Sequence, residues 1–237
     1  MGEVTNSGAV EIWTSTVEQV PEPVWPNLLG ILSVEERERA ARFRFLRHRK
    51  EYIAAHVLKR MMLSARCDRP PESWRFSLES AGKPIVEGGV GPHFNLSHCA
   101  GLVACGISFE FSLGVDVEAL NRDPPYELIQ HCFTASERHW LLGLPESKRA
   151  RGFFSLWTMK EALLKATGEG IGSSLQSFAI SFNPLSVSFL AGSLEKPGEW
   201  HLYQHAPSEH HLLAWAWKGS SAEVLIRDVK LEEIVIR

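Results

Sequence analysis

The segment "FFSLWTMKEALLK", residues 153–165, is the feature that most constrains the fold. It is apolar at nearly every position, which is typical of a helix that is buried on most of its sides. The same segment carries Lys160, Glu161 and Lys165, and charges on a buried helix are costly unless they are paired or bind an ion. The sequence therefore predicts a largely buried helix, ended by Gly168, whose charged side chains have specific partners.

The segments around this helix alternate between helical and extended patterns. Ser33 followed by Glu36 is a capping box at the start of one helix, and Thr134 or Ser136 is a candidate cap for another. "HFNLSH" and "GLVACGIS" read as two strands of a hairpin. Further helices are predicted over "RKEYIAAHVLKRMMLSA", "YELIQHCF" and "SERHWLLGL", and further strands over "EIWTST", "LGVDVEAL", "FAISF", "VSFLAG", "WHLYQHA" and "HLLAWAW". Helices mixed with mostly antiparallel strands place the chain in the α+β class.

Length and charge limit the classes of partner. The chain has 237 residues and a net charge of −3, so bulk charge does not predict a nucleic-acid partner. No run of about 18 apolar residues predicts a membrane span, and the first ten residues lack the pattern of a secretory signal. None of the four cysteines forms a C-x-x-C pair, which favours reduced thiols. A cytoplasmic location is the resulting expectation.

Positive charge is concentrated in one part of the chain. Residues 33–60 contain nine Lys or Arg and four Glu. Such a basic segment in an acidic protein indicates either an anion site or a solvated helix face with Glu–Arg pairs. The sequence leaves both interpretations open.

The motif "GVDVE", residues 114–118, places two acids on one face of a strand. Val115 and Val117 would point into a core, whereas Asp116 and Glu118 would share the opposite face, about 7 Å apart along the strand. Neighbouring carboxylates repel unless a cation or a proton lies between them. Oxygen ligands favour magnesium over zinc. A solvated strand face is the alternative interpretation.

The charges of the buried helix are candidates for the same site. Glu161 is a candidate third ligand of the ion, and Lys165 lies one turn further on, where it can meet negative charge. The alternative is an ordinary surface ion pair between the two. Ser97 and His98 end a predicted strand, and Lys83 lies in a glycine–proline turn, "GKP". Fixed cations around a carboxylate cluster suit a magnesium-bound pyrophosphate, although no P-loop or Rossmann glycine motif is present.

Four ordered motifs resemble the Sfp-type 4′-phosphopantetheinyl transferases. These are "GKP" (82–84), "FNLSH" (94–98), "GVDVE" (114–118) and "FFSLWTMKEALLK" (153–165), and the resemblance runs from about residue 32 to 172. It implies two similar α/β lobes related by a pseudo-twofold axis, with coenzyme A in the cleft between them. The lobes are then expected at 1–112 and 113–237, within a single tightly packed unit that suggests a monomer.

The resemblance also implies roles for individual residues. Glu161, Lys165 and His98 would take part in catalysis, Lys165 by stabilising charge on the leaving diphosphate. Three acids would hold Mg²⁺, with Mn²⁺ as an alternative: Asp116, Glu118 and Glu161. Coenzyme A would be bound by Lys83, Pro84, Ser97, His98, Arg39, Arg47 and Lys165. Glu36 stands at a position that is Lys in some relatives, which leaves a preference for dephospho-coenzyme A open.

The implied reaction is transfer of 4′-phosphopantetheine from coenzyme A to a serine of an apo carrier protein, with release of 3′,5′-ADP. The carrier could serve fatty acid, polyketide or nonribosomal peptide synthesis. The serine proton would pass to Glu161 or to a metal-bound water, and the sequence does not separate these. Three rival functions are a magnesium-dependent pyrophosphate hydrolase, a non-catalytic coenzyme A-binding protein, and a zinc protein that uses His205, His210 and His211.

Overall fold

Groups of helices and groups of strands follow one another along the chain. The computed structural model describes residues 8–168, 175–190 and 195–234. The strands are β1 (Ala9–Thr16), β2 (Phe76–Leu78), β3 (Pro84–Val86), β4 (His93–Cys99), β5 (Leu102–Ser108), β6 (Leu113–Ala119), β7 (Phe178–Phe182), β8 (Leu185–Phe189), β9 (Trp200–Ser208), β10 (His211–Lys218) and β11 (Glu223–Asp228). The helices are α1 (Trp25–Ile31), α2 (Val34–Ala41), α3 (Leu46–Cys67), α4 (Ile129–Cys132), α5 (Ala135–Gly143), α6 (Glu146–Thr167) and α7 (Leu231–Ile234).

Two main sheets form the centre of the fold. One has the strand order β11-β1-β5-β4 and the other β6-β10-β9, while β2-β3 and β7-β8 are separate hairpins. Among the described strands, every pairing is antiparallel except that of β1 with β11. The long helix α3 packs against β5 and β4, and α6 packs against β6 and β10. The predicted α+β class is confirmed.

The two halves repeat one order of elements. In each half a strand is followed by a capped short helix, a helix of 22 residues, a hairpin and two further strands. The sheets β1-β5-β4 and β6-β10-β9 also match, because the first strand pairs with the last in both. The prediction of two similar α/β halves is therefore confirmed. β11 joins the sheet of the first half through β1, and the domain limits 1–112 and 113–237 stay a prediction.

Capping residues explain where the short helices begin. The side chains of Ser33 and Glu36 form the predicted capping box at α2. Thr134, rather than Ser136, caps α5 through a second capping box with Glu137. Each box satisfies two backbone groups that the first helical turn would otherwise leave without partners.

Helix α6 contains the segment 153–165 and is longer than that segment. It runs from Glu146 to Thr167 and is followed by Gly168, whose φ of 72° suits glycine. Its backbone lies directly on β6, because a Cβ added to Gly114 would lie 1.9 Å from the carbonyl oxygen of Ala162. Only glycine at position 114 permits this approach, which brings α6 close to the acids of β6.

The charge of Lys160 is explained by a buried ion pair. Its Nζ lies 2.8 Å from both carboxylate oxygens of Glu137 and donates to the carbonyl oxygen of Phe178, also at 2.8 Å. Glu137 additionally accepts a hydrogen bond from the backbone N–H of Ile180. Lys160 thus ties α6 to α5 and β7, and it lies on a different side of the helix from Glu161.

Two expectations from composition concern cysteines and membrane spans. All four cysteines are free, as expected of reduced thiols. Within residues 8–168, 175–190 and 195–234, no helix is long and apolar enough to cross a bilayer. The cytoplasmic location stays a prediction.

Candidate active site

Strand β6 presents its acids as the alternation predicts. Val115 and Val117 are buried in an apolar cluster, and Asp116 is buried on the other face of the strand. The Oδ1 atom of Asp116 accepts hydrogen bonds from Lys165 Nζ at 2.6 Å and from Ser97 Oγ at 3.0 Å. Its Oδ2 atom is buried and has no hydrogen-bond partner in the described chain. Asp116 therefore keeps one acceptor oxygen available.

Glu118 and Glu161 complete the acidic group. Glu118 Oε2 accepts a hydrogen bond from Arg122 Nη2 at 2.7 Å, whereas the side chain of Glu161 makes no hydrogen bond to any residue that the structure describes. Loss of hydration on burial raises the pKa of Glu161, and the negative charge of Asp116 raises it further. Burial likewise raises the pKa of Glu118, against the lowering effect of Arg122. The three acids therefore act on one another electrostatically.

These acids fit a hard divalent cation by their chemistry. In the part of the chain that is described, no three Asp, Glu, His or Cys side chains are grouped closely enough to hold a metal ion. The buried free oxygen of Asp116 and the mutual repulsion of the acids would both be relieved by a cation. All of the donors are carboxylate oxygens, which suits Mg²⁺ or Mn²⁺. The three-ligand metal site stays a prediction.

The two predicted lysines flank a cavity beside α6. Lys165 Nζ contacts Asp116, Ser97 Oγ at 3.2 Å and the carbonyl oxygen of Val115 at 3.1 Å. Lys83 donates to Ser112 Oγ at 2.8 Å, and burial lowers the pKa of Lys83 to about 8. A cavity of about 250 Å³ is lined by, among others, Lys83, Pro84, Asn95, Glu161 and Lys165. The structure thus brings four of the predicted site residues to one opening.

The predicted histidine and arginines lie further out. His98 is exposed at the end of β4. Desolvation of its ring lowers the pKa of His98, as do the nearby charges of Lys165 and His48. Arg47 is exposed and contacts His48 at 3.1 Å, whereas Arg39 lines a separate surface cavity. Neither arginine lines the cavity beside α6, and their roles toward coenzyme A stay predictions.

Of the three tail histidines, His211 contacts the first half of the chain. His211 Nε2 bonds to the carbonyl oxygen of Ala100 at 2.9 Å, and its Nδ1 bonds to Ser208 at 2.8 Å. His211 thereby connects β10 to the turn between β4 and β5. Both ring nitrogens of His211 are thus already bonded to protein oxygen atoms, so the zinc alternative gains no support.

One residue that lines the cavity and one that holds helix α6 in place were not recognised in the sequence. Asn95 is buried, and its Oδ1 accepts a hydrogen bond from the backbone N–H of Val115 at 2.8 Å. Glu137 is the buried partner of Lys160. The motif "FNLSH" contains Asn95, and the capping box contains Glu137, but neither pattern reveals a partner that is distant in sequence.

Comparison with known proteins defines the class to which this fold and site belong. The family described as the 4'-phosphopantetheinyl transferase superfamily matches residues 112–218. The family described as 4'-phosphopantetheinyl transferase, N-terminal, matches residues 13–108. The chain is 33% identical over 219 residues to 4'-phosphopantetheinyl transferase HetI of Nostoc sp., which covers 90% of this chain and 89% of that protein. The chain belongs to the 4'-phosphopantetheinyl transferase family, and the resemblance read from the four motifs is confirmed.

Other relatives are more distant. 4'-Phosphopantetheinyl transferase Sfp of Bacillus subtilis is 28% identical over 152 residues, covering 64% of this chain and 67% of that protein. A solved holo-(acyl-carrier-protein) synthase from Bacillus anthracis, in complex with CoA (3',5'-ADP), covers 46% of this chain and 98% of its own chain, with a TM-score of 0.39 and 22% identity.

Proposed function

We propose that this protein transfers the 4′-phosphopantetheine group of coenzyme A to a serine of an apo carrier protein and releases 3′,5′-ADP. The observation that carries the proposal is the convergence of separate motifs. Lys165 Nζ, from α6, lies 2.6 Å from Asp116 Oδ1 on β6 and 3.2 Å from Ser97 Oγ on β4. This convergence occurs beside a cavity in a member of the 4'-phosphopantetheinyl transferase family.

The bond changes are a displacement at phosphorus. The serine oxygen bonds to the phosphorus that bears pantetheine, the bond from that phosphorus to the nucleotide's phosphate oxygen breaks, and its electron pair leaves with 3′,5′-ADP. Catalysis of this kind depends on positioning and on neutralising charge. Lys165 would stabilise the negative charge that develops on the 5′-phosphate of the leaving 3′,5′-ADP. Glu161 lines the cavity, where its carboxylate could accept the serine proton.

A divalent ion would complete the neutralisation of charge. Asp116, Glu118 and Glu161 would hold Mg²⁺ or Mn²⁺, and the bound ion would neutralise negative charge on the two phosphates. The free Oδ2 atom of Asp116 supports this assignment. We expect chelation with EDTA to abolish transfer and added Mg²⁺ or Mn²⁺ to restore it, and turnover that persists in chelator would contradict the metal site.

Mass spectrometry of several apo carriers tests the reaction and the partner together. Apo carriers from fatty acid, polyketide and nonribosomal peptide synthesis are each incubated with the protein, coenzyme A and Mg²⁺. We expect at least one of them to gain one phosphopantetheine on a serine. Parallel reactions without a carrier report hydrolysis, and cleavage of coenzyme A with no carrier modified would support the rival hydrolase instead.

Glu161→Gln removes the proposed proton acceptor while keeping the size of the side chain. We expect transfer to fall on the order of 10²- to 10⁴-fold, with an unchanged far-UV circular dichroism spectrum. Glu146→Gln, an exposed change in the first turn of the same helix, is the matched control and should retain activity. Undiminished turnover by Glu161→Gln would remove Glu161 from the mechanism.

A further inference from the structure

On the edge of β6 that faces β4, the backbone groups form hydrogen bonds with side chains and not with another of the described strands. β4 and β6 lie side by side but belong to different sheets. The backbone N–H of Val115 donates to Asn95 Oδ1 at 2.8 Å, and that of Val117 donates to Ser97 Oγ at 3.2 Å. Both acceptors come from β4. Two amides that would otherwise be buried without partners are thus satisfied across the boundary between the sheets.

The carbonyl groups on the same edge are bound by the two site lysines. Lys83 Nζ donates to the carbonyl oxygen of Leu113 at 3.0 Å, and Lys165 Nζ donates to that of Val115 at 3.1 Å. We call these four backbone groups the β6 edge: the carbonyl oxygen of Leu113, the N–H and carbonyl oxygen of Val115, and the N–H of Val117. Side chains therefore set the position of the strand segment that carries Asp116.

The packing beneath this edge leaves little room for β6 to shift. Gly106 on β5 pairs with Asn95. A Cβ at Gly106 would lie 2.6 Å from side-chain carbons of Leu113 and Val115. The apolar face of β6 therefore presses directly on β5, while its polar edge is held by β4. The other edge of β6 is paired with β10, so the hydrogen bonds from β4 act together with that ladder to set the orientation of the strand.

We propose that Asn95 is a positioning residue, which fixes Asp116 by holding the N–H of Val115. This inference rests on the proposed function, because it concerns the geometry of that active site. Ser97 also touches Asp116 and Lys165, so its loss would change the charged groups themselves. Among the residues that the structure describes, the Oδ1 atom of Asn95 bonds only to the backbone of β6, which makes Asn95 the cleaner position for a test.

Amide hydrogen exchange at single-residue resolution tests the proposal without substrate. In Asn95→Ala the N–H of Val115 loses its acceptor. We expect its exchange to quicken about tenfold, with a smaller change at Val117. Asn95→Asp keeps a carboxylate oxygen as acceptor and should restore slow exchange at Val115. Equal exchange at Val115 in the wild type and Asn95→Ala would overturn the proposal.

Kinetics and ion binding then separate positioning from direct substrate contact. For Asn95→Ala we expect kcat to fall about tenfold with KM for coenzyme A unchanged, and Mn²⁺ affinity measured by calorimetry to weaken. A raised KM with unchanged kcat would assign Asn95 to substrate binding and overturn the proposal. Ile180→Val, a destabilising change in β7, is the control for general loss of stability. If it reproduced the effects on kcat and on Mn²⁺ affinity, the role of Asn95 would be structural only.

The two proposals fail in distinguishable ways. Exchange at Val115 is measured on the free protein, so it tests the role of Asn95 even if no carrier is modified. The carrier assay with the wild-type protein tests the proposed function by itself. Slow exchange that depends on Asn95, together with an absence of transfer, would refute only the proposed function and the part of the inference that concerns kcat.

Discussion

At the scale of single residues, the cations of the motifs are bound to the protein itself. Lys165 contacts Asp116, and Lys83 contacts Ser112 and backbone carbonyls. Both lysines line the cavity beside α6. Each is therefore held in place before a substrate arrives, which reduces the ordering that binding would require.

The lowered pKa of Lys83 predicts a pH dependence of the free energy of unfolding. Its pKa in the folded protein is about 8, against an ordinary value of 10.5, because burial disfavours the charged form. Between these values the unfolded chain holds a proton that the folded protein has lost, so the free energy of unfolding should rise with pH. The slope from this one group is at most about 1.4 kcal/mol per pH unit.

Urea denaturation between about pH 7.5 and 10 measures this slope. We expect Lys83→Met to show a shallower rise in stability with pH than the wild type. Lys196→Met, at an exposed site, should keep the wild-type slope. Identical slopes for the wild type and Lys83→Met would show that Lys83 titrates normally in the folded protein.

At the scale of elements, each capped short helix is tied to the long helix that follows it. Glu36 of α2 contacts Lys59 at 2.9 Å and Arg60 at 2.7 Å, both on α3. Glu137 of α5 contacts Lys160 of α6 at 2.8 Å. The same device therefore occurs in both halves. In the second half it fixes the helix that presents Glu161 to the cavity.

Replacement of Lys160 tests this device. Lys160→Met leaves Glu137 buried without its cation, and we expect a loss of roughly 3–5 kcal/mol in the free energy of unfolding. The double variant Lys160→Met/Glu137→Gln should recover much of the loss, because Gln removes the uncompensated charge. Urea denaturation measures both, with exposed Lys148→Met on the same helix as control. A loss below about 1 kcal/mol would mean that the pair contributes little.

At the scale of the whole molecule, the two halves depend on each other. β4 and β6 are joined through side chains, and His211 connects β10 to the turn at Ala100. β11 lies late in the chain but pairs with β1, through residues 9–14 and 223–228. A cut between the predicted lobes would therefore remove a strand from the first sheet and expose the β6 edge.

Separate expression of residues 1–112 and 113–237 tests this dependence. We expect neither fragment to show cooperative unfolding alone, because the first lacks β11 and the second lacks the acceptors Asn95 and Ser97. Co-expression should give a complex that unfolds cooperatively. The measurements are circular dichroism during thermal unfolding and co-purification through a tag on one fragment. Cooperative unfolding of 1–112 by itself would show that the first lobe is an independent domain.

The sequence by itself determined the element types and the residues of the motifs. Helical periodicity, the capping box at Ser33 and the strand alternation around Asp116 are local patterns, and local patterns survive in a single sequence. The motif order also led to the family. The strands β2, β3 and β11 were not predicted, because the first two are short and the third is recognised mainly through its pairing with β1.

Only the tertiary structure decided which groups meet. Lys165 contacts Asp116, which lies 49 residues earlier. Lys160 contacts Glu137 and is not available to a substrate. Asn95 finds an amide of β6 because β4 and β6 lie at the edges of two sheets that approach each other. Such partners depend on how closely the elements pack, as at Gly114. Periodicity carries no information about the distance between elements, so charge partners and the β6 edge could not be read from it.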